Sequence, residues 1–253
     1  PPMNAADWDE AFALYRQIPQ YAQVNAGMTL EEFQGIFWWE WIHRLLGRMI
    51  GLVFALPFLV FLGLGRLSRR MATRIAILLL LGGLQGLIGW WMVSSGLVDR
   101  VDVAPERLTV HLGLALLIFA GLIWTGLEAG FGHDHSRSPA GWSRGAGVLL
   151  AAVFLQCLLG GLVAGSKAGM VYTDWPMMNG AVLAPVDWSQ GGLAFLHDQA
   201  LVQFNHRILA YAVLLYAVGY AVQTWRWRLS DGLSDAAYAV VALLVVQALL
   251  GVF

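Results

Sequence analysis

Long apolar runs dominate this chain and leave it few folds to choose from. Five of them, near residues 43–64, 72–93, 108–128, 145–165 and 200–225, reach the roughly 20 residues a helix needs to cross a hydrocarbon core about 30 Å thick. A sixth opens at Ala236 and runs to Phe253. Inside a bilayer every backbone N–H and C=O must be paired within the segment, so these runs are predicted as membrane-spanning helices. Composition agrees, with 58% hydrophobic and 12% charged residues and 12 tryptophans, far more apolar than a soluble domain of this length requires. A net charge of -1, with no extended basic patch, leaves no surface for nucleic acid, which is excluded as a partner. The single cysteine, Cys157, sits inside an apolar run and reads as a packing residue, not as half of a disulfide or part of a thiolate cluster.

Arginines orient the spans. The loop GRLSRRMATR (65–74) carries four of them, and Arg137, Arg144, Arg226 and Arg228 fall on the same side, which the positive-inside rule makes cytoplasmic. The opposite, outer side receives residues 1–42, 94–107 and 166–199, rich in tryptophan and proline. Residues 1–37 read as an amphipathic outer segment, with ADWDEAFALYRQI its clearest short helix. His43 and His111 are expected at helix starts on that outer side and His206 about two turns into its helix, which places the chemistry in the outer half of the membrane.

The chain also repeats itself. HRLLGRMIGLVFAL from His43 aligns with HRILAYAVLLYAV from His206, and the helices that follow carry QGLIG (85–89) and QALLG (247–251); QCLLG (156–160) is a third copy. Two homologous halves of four helices explain this pattern, the fold class expected being an all-α membrane protein of two pseudo-symmetric four-helix bundles. Six of eight helices are then present. The sequence reads as a fragment cut at both ends, with residues 1–135 forming the first bundle and 136–253 the second. By the same repeat, a histidine is expected roughly 20 residues past Phe253.

Imidazoles from facing helices of a bundle can ligate one iron from opposite sides, as bundles often hold haem. His43 and His111 are such a pair in the first half, and His206 is one member of a pair in the second. The competing reading seats these rings at the interface, hydrogen-bonded to backbone; the recurrence of His-Arg at the same helix position favours ligands. Glu40 stands three residues before His43 and would share its helical face if the helix begins early enough to include both. A di-iron carboxylate site would need further acids, and the matching position of the second half is Gln203. One half therefore keeps an acid beside its histidine and the other does not, which suggests one site for chemistry and one for electron transfer or structure. Glu40 as a solvated acid near a helix start is the plainer alternative.

Other polar groups carry weaker signals. His133 and His135, in GHDHSRS, are too few for a closed metal site and read as solvated. His197 and Asp198 either line the second site or cap the helix that follows. Arg44, Arg48 and Arg207 at the outer boundary either snorkel to water or pair with haem propionates. The tryptophans at 38, 39, 41, 90, 91, 175 and 188 fit an interfacial belt.

At NAGMTLEEFQGIFWWEWIHRLLGR (25–48), KAGMVYTDWPMMNG (167–180) and ALVQFNHRILAY (200–211) the chain resembles the haem A synthase family, in its cysteine-free class. That resemblance implies an enzyme that oxidises the C8 methyl group of haem O to a formyl group, through hydroxylation with oxygen from water. It implies His43 and His111 as ligands of the substrate haem, Glu40 as the catalytic acid, and His206 as one ligand of a haem b cofactor. A bacterial inner-membrane location follows, ahead of a mitochondrial one, with the haem sites toward the outer face. Haem O and the bilayer are the expected partners, with haem O synthase and a second copy of the chain as candidates. A non-catalytic di-haem b cytochrome that transfers electrons is the alternative from another class.

Overall fold

The computed structural model describes residues 1–97, 100–132, 140–227 and 231–252. His133, His135, Arg137 and Arg228 lie outside the described residues. Helices run Ala5–Tyr15 (α1), Pro19–Gln23 (α2), Leu30–Gly63 (α3), Arg69–Ser94 (α4), Pro105–Phe131 (α5), Ala140–Gly165 (α6), Ala194–His197 (α7), Gln199–Arg226 (α8) and Asp231–Val252 (α9). No strand occurs among the described residues. Six of these helices, α3, α4, α5, α6, α8 and α9, are long and apolar enough to span a bilayer, so the protein is an all-α membrane protein. The chain separates into two compact units, Pro1–His133 and Asp134–Phe253.

In the first unit α3 begins thirteen residues earlier than the apolar run predicted. Its 34 residues extend about 51 Å at 1.5 Å per residue, well beyond a hydrocarbon core of about 30 Å. His43 is therefore not at a helix start but between three and four turns inside α3. The early start has a local cause. Thr29 Oγ1 accepts from the Glu32 N–H at 3.3 Å while the Glu32 carboxylate accepts from the Thr29 N–H at 2.8 Å, a reciprocal capping box. Aromatic packing then covers the projecting turns: Phe12 of α1 stacks on Phe33 at 5.1 Å, and Trp8 meets Phe37 edge-on at 5.0 Å. Phe12 and Phe33 are both buried, each worth about 1.5–3 kcal/mol of transfer free energy.

α4 packs on both α3 and α5. Leu78 is buried against Gly121, where an added Cβ would stand 2.8 Å from Leu78 Cδ2, so the glycine permits the close approach. At the arginine-rich end Glu128 of α5 takes Arg74 and Arg70 of α4, the latter at 3.4 Å. At the other end Arg107 of α5 donates to the carbonyl of Trp91 at 2.8 Å and lies 4.6 Å over its ring, which ties the last turn of α4 to the first of α5.

The second unit is built around α8, flanked by α6 and α9. Its packed face is made of small residues: Val213, Ala217 and Ala221 are buried, the first two with Leu149 of α6. Tyr220 stacks on Trp142 at 4.5 Å and donates to the Trp142 carbonyl at 3.0 Å. Large apolar side chains such as Leu215, Leu243 and Leu250 remain exposed, as lipid-facing positions should.

The outer segment between α6 and α8 is ordered by its own chemistry. Met178 and Ala181 exchange backbone hydrogen bonds of 2.7 and 3.3 Å across Asn179-Gly180. These two residues have φ of 54° and 80°, the positive-φ pair of a two-residue hairpin turn. The Asp174 carboxylate accepts from the N–H groups of Asn179 at 2.9 Å and Gly180 at 3.3 Å. Met178, Ala184 and Ala200 then bury together, seating the hairpin on the first turn of α8.

Candidate functional site

Each unit presents a histidine braced by a glutamine from the preceding long helix. In the first, Gln85 of α4 donates to the backbone carbonyl of His111 at 2.9 Å, and the same nitrogen lies 3.4 Å from His111 Nε2. In the second, Gln156 of α6 donates to the backbone carbonyl of His206 at 3.1 Å, and the same nitrogen lies 3.1 Å from Nδ1 and 3.2 Å from Nε2. One turn beyond each glutamine is a glycine. A Cβ at Gly89 would stand 3.0 Å from His111 Cε1, and one at Gly160 3.3 Å from His206 Cε1.

His43 of α3 is exposed, and it is near enough to His111 for the two rings to interact electrostatically. Among the described residues no glutamine stands against it. Glu40, one turn earlier on the same face, holds Arg44 at 3.1 Å in an ion pair whose two side chains are about half exposed. No hydrogen bond joins Glu40 to His43 among the described residues.

The corresponding positions of α8 behave differently. Gln203, matching Glu40 in the repeat, is buried and donates to the Tyr172 carbonyl at 2.9 Å, its Oε1 buried without a hydrogen-bond partner. Arg207, matching Arg44, donates to three backbone carbonyls of the outer segment: Tyr172 at 2.7 Å, Met177 at 2.9 Å and Asp174 at 3.1 Å. Through these three bonds the Arg207 guanidinium fastens the loop to α8. The Asn179 N–H beside Asp174 holds that carboxyl below its ordinary range, with the Gly180 N–H and the Arg207 charge acting in the same direction.

Asp198 is the N-cap of α8: its carboxylate accepts from the Leu201 N–H at 2.8 Å and from the Asp187 N–H at 3.0 Å. His197 Nδ1 lies 3.1 Å from Gln190 Oε1. Both residues therefore serve the loop and the cap. The side chains of Trp39, Trp90, Trp175 and Trp188 are all exposed, in keeping with an interfacial belt.

The donor set suits haem. Among the described residues no three of His, Cys, Asp and Glu gather as a bare metal ion would require. A porphyrin supplies four in-plane nitrogens of its own and asks the protein only for axial imidazoles. His111 Nδ1 is buried without a hydrogen-bond partner.

The braces Gln85 and Gln156 were visible in the sequence only as markers of a repeat, QGLIG and QCLLG. Their histidines lie 26 and 50 residues further along the chain, and no local pattern links a glutamine to a partner at two such different distances.

Over residues 1–253 the chain matches the COX15-CtaA family, described as cytochrome oxidase assembly protein. It is 54% identical over 256 residues to a heme A synthase of Caulobacter vibrioides, which covers all of this chain and 74% of that protein. A heme A synthase of Caulobacter sp. strain K31 is 51% identical with the same coverage of both chains. One from Parvibaculum lavamentivorans is 45% identical over 263 residues, covering all of this chain and 73% of that protein.

Proposed function

The chain belongs to the COX15-CtaA family of cytochrome oxidase assembly proteins, and from that membership and the geometry above we propose how it works. It is a multi-pass membrane protein that acts as a haem A synthase, taking haem O as substrate. The reaction we assign to it is oxidation of the C8 methyl group to a formyl group: water supplies the oxygen, and four electrons and four protons leave. The electrons pass to an acceptor outside the protein.

His43 and His111 hold the iron of the substrate from two sides, which their proximity supports. His206 would hold the iron of a haem b in the second unit, a group that would supply one-electron transfer. Glu40 is the catalytic residue. Losing electrons leaves the methyl carbon electron-poor, and a carboxylate beside it stabilises that carbon or takes a proton from the incoming water. Both sites face the outer side of a bacterial inner membrane, opposite the arginine-rich ends of α4 and α8. Haem O synthase and a second copy of the chain remain candidate partners.

One observation carries the assignment of Glu40. At matching positions of the two repeated helices, Glu40 is half exposed beside an arginine, whereas Gln203 is buried against a loop carbonyl. A helix-start role does not account for it, since Glu40 lies ten residues inside α3, whose first-turn acids are Glu31 and Glu32. The test is haem extraction from the purified protein. Haem O or haem A beside haem b is expected, and haem b alone would favour the electron-transferring cytochrome. Glu40→Gln should retain both haems while formyl product falls by roughly 10²–10⁴-fold, the usual weight of a proton-transfer group. An unchanged yield of haem A would remove Glu40 from the mechanism.

A further inference from the structure

The repeated Gln-x-x-x-Gly is more than a trace of duplication. We propose that Gln85 with Gly89, and Gln156 with Gly160, are seats that set the ring orientation and hydrogen-bonding state of the haem-ligating histidines His111 and His206. This rests on the reading of those histidines as iron ligands.

The geometry recurs in both units by different chain routes. A connection of 26 residues joins Gln85 to His111, and one of 50 joins Gln156 to His206. In each case a single amide nitrogen reaches both the backbone carbonyl of the histidine and its ring. The backbone contact fixes the height of the histidine along the helix, and the ring contact fixes its rotation. In each case, too, the glycine one turn on leaves room for the Cε1 edge. A methyl group at Gly89 would come within 3.0 Å of that carbon, and one at Gly160 within 3.3 Å, so the ring would have to move.

The chemistry of the amide matters as much as its position. Gln85 Oε1 and Gln156 Oε1 are buried without hydrogen-bond partners, beside an amide nitrogen that already touches the ring. With the amide turned over, that oxygen would accept the ring N–H which an iron-bound imidazole presents away from the metal. Partners of this kind fix the tautomer and orientation of a metal-ligating histidine and tune its basicity. A neutral amide accepts that N–H without pulling the proton away, so the ligand stays a neutral imidazole. A carboxylate there would draw the proton, strengthen the ligand as a donor and favour ferric over ferrous iron.

Gln85 and Gln156 are accordingly positioning residues, acting through His111 and His206. QALLG carries the same motif on α9, where Gln247 is exposed and Gly251 has open space beside it.

The test uses the membrane-extracted protein carrying its haems, with redox titration and low-temperature EPR of the low-spin haem b. Gln156→Glu, equal in size to the native residue, should keep haem b but lower its midpoint potential. Gln156→Leu should alter the g-values, because the ring is no longer held in rotation. Gly160→Ala should shift the g-values in its own way, by displacing the ring. Wild-type potential and g-values in all three variants would overturn the seat. So would loss of haem b from Gln156→Leu alongside an unchanged potential in Gln156→Glu, since the glutamine would then only be packing. His206→Ala separates this from the reading beneath it. Its loss of the haem b spectrum is expected, and retention would refute His206 as a ligand and the seat with it. Loss there, with unaltered Gln156 and Gly160 variants, would refute the seat alone.

Discussion

Replacing Arg207 by leucine should loosen the outer hairpin of the second unit without unfolding the helices beneath it. The guanidinium donates to the carbonyls of Tyr172, Asp174 and Met177, and bonds from a charged donor are each worth about 1.5–3 kcal/mol. They do not all count in full. The bond to Met177 is exposed, so water replaces it, and the Tyr172 carbonyl keeps Gln203 as a second donor. What is lost is the Asp174 bond and part of the Tyr172 bond, about 2–3 kcal/mol together. At about 1.4 kcal/mol per tenfold, the hairpin should open roughly 30- to 140-fold more often. Hydrogen–deuterium exchange reads this directly. The N–H groups of Met178 and Asn179, bonded to the Ala181 carbonyl and the Asp174 carboxylate, should exchange faster by that factor, while those around Leu149 of α6 stay as they were. The repeat supplies the control: Arg44→Leu removes only a half-exposed ion pair with Glu40, worth at most about 1 kcal/mol. Unchanged protection at Met178 and Asn179 in Arg207→Leu, or equal loosening of α6 and α8, would refute the loop-fastening role.

Two further predictions follow from local contacts. Because the Asn179 N–H, above all, holds Asp174 below its ordinary pKa, the hairpin gains stability from the ionised carboxylate. A depressed folded pKa leaves that gain complete above about pH 5 and removes it as pH falls below about 4. Protection factors at Asn179 and Gly180, taken relative to the intrinsic exchange rate at each pH, should therefore fall only in acid, and Asp174→Asn should abolish that fall. Gly145→Ala places a Cβ 2.5 Å from Tyr220 Cε2, whose ring cannot retreat without disturbing its stack on Trp142 and its bond to the Trp142 carbonyl. Overpacking of about 1–3 kcal/mol outweighs a helix-propensity gain of up to about 1 kcal/mol, so thermal unfolding should occur at lower temperature. Gly147→Ala, with open space beside it, should leave the midpoint unchanged or slightly raised.

Sequence alone determined the elements whose causes are local. Runs of apolar residues long enough to cross a bilayer can only be helices there, and all six were legible, five with bounds within a few residues. The repeat was legible as well, and with it the pairing of Glu40 against Gln203. Even the early start of α3 had a local signal, since Thr29 and Glu32 have the spacing of a capping box; the apolar run simply spoke louder.

Tertiary structure decided which residues serve one another across helices. Arg44 and Arg207 occupy equivalent places in the repeat, yet one meets a glutamate on its own helix and the other a folded loop. Gln85 and Gln156 look like helix filler until the helices pack and each amide arrives at a histidine on another helix. A helix forms from interactions within four residues along the chain. A side chain's partner on the next helix depends on where connections of quite different lengths return the chain, and no local pattern of residues encodes that.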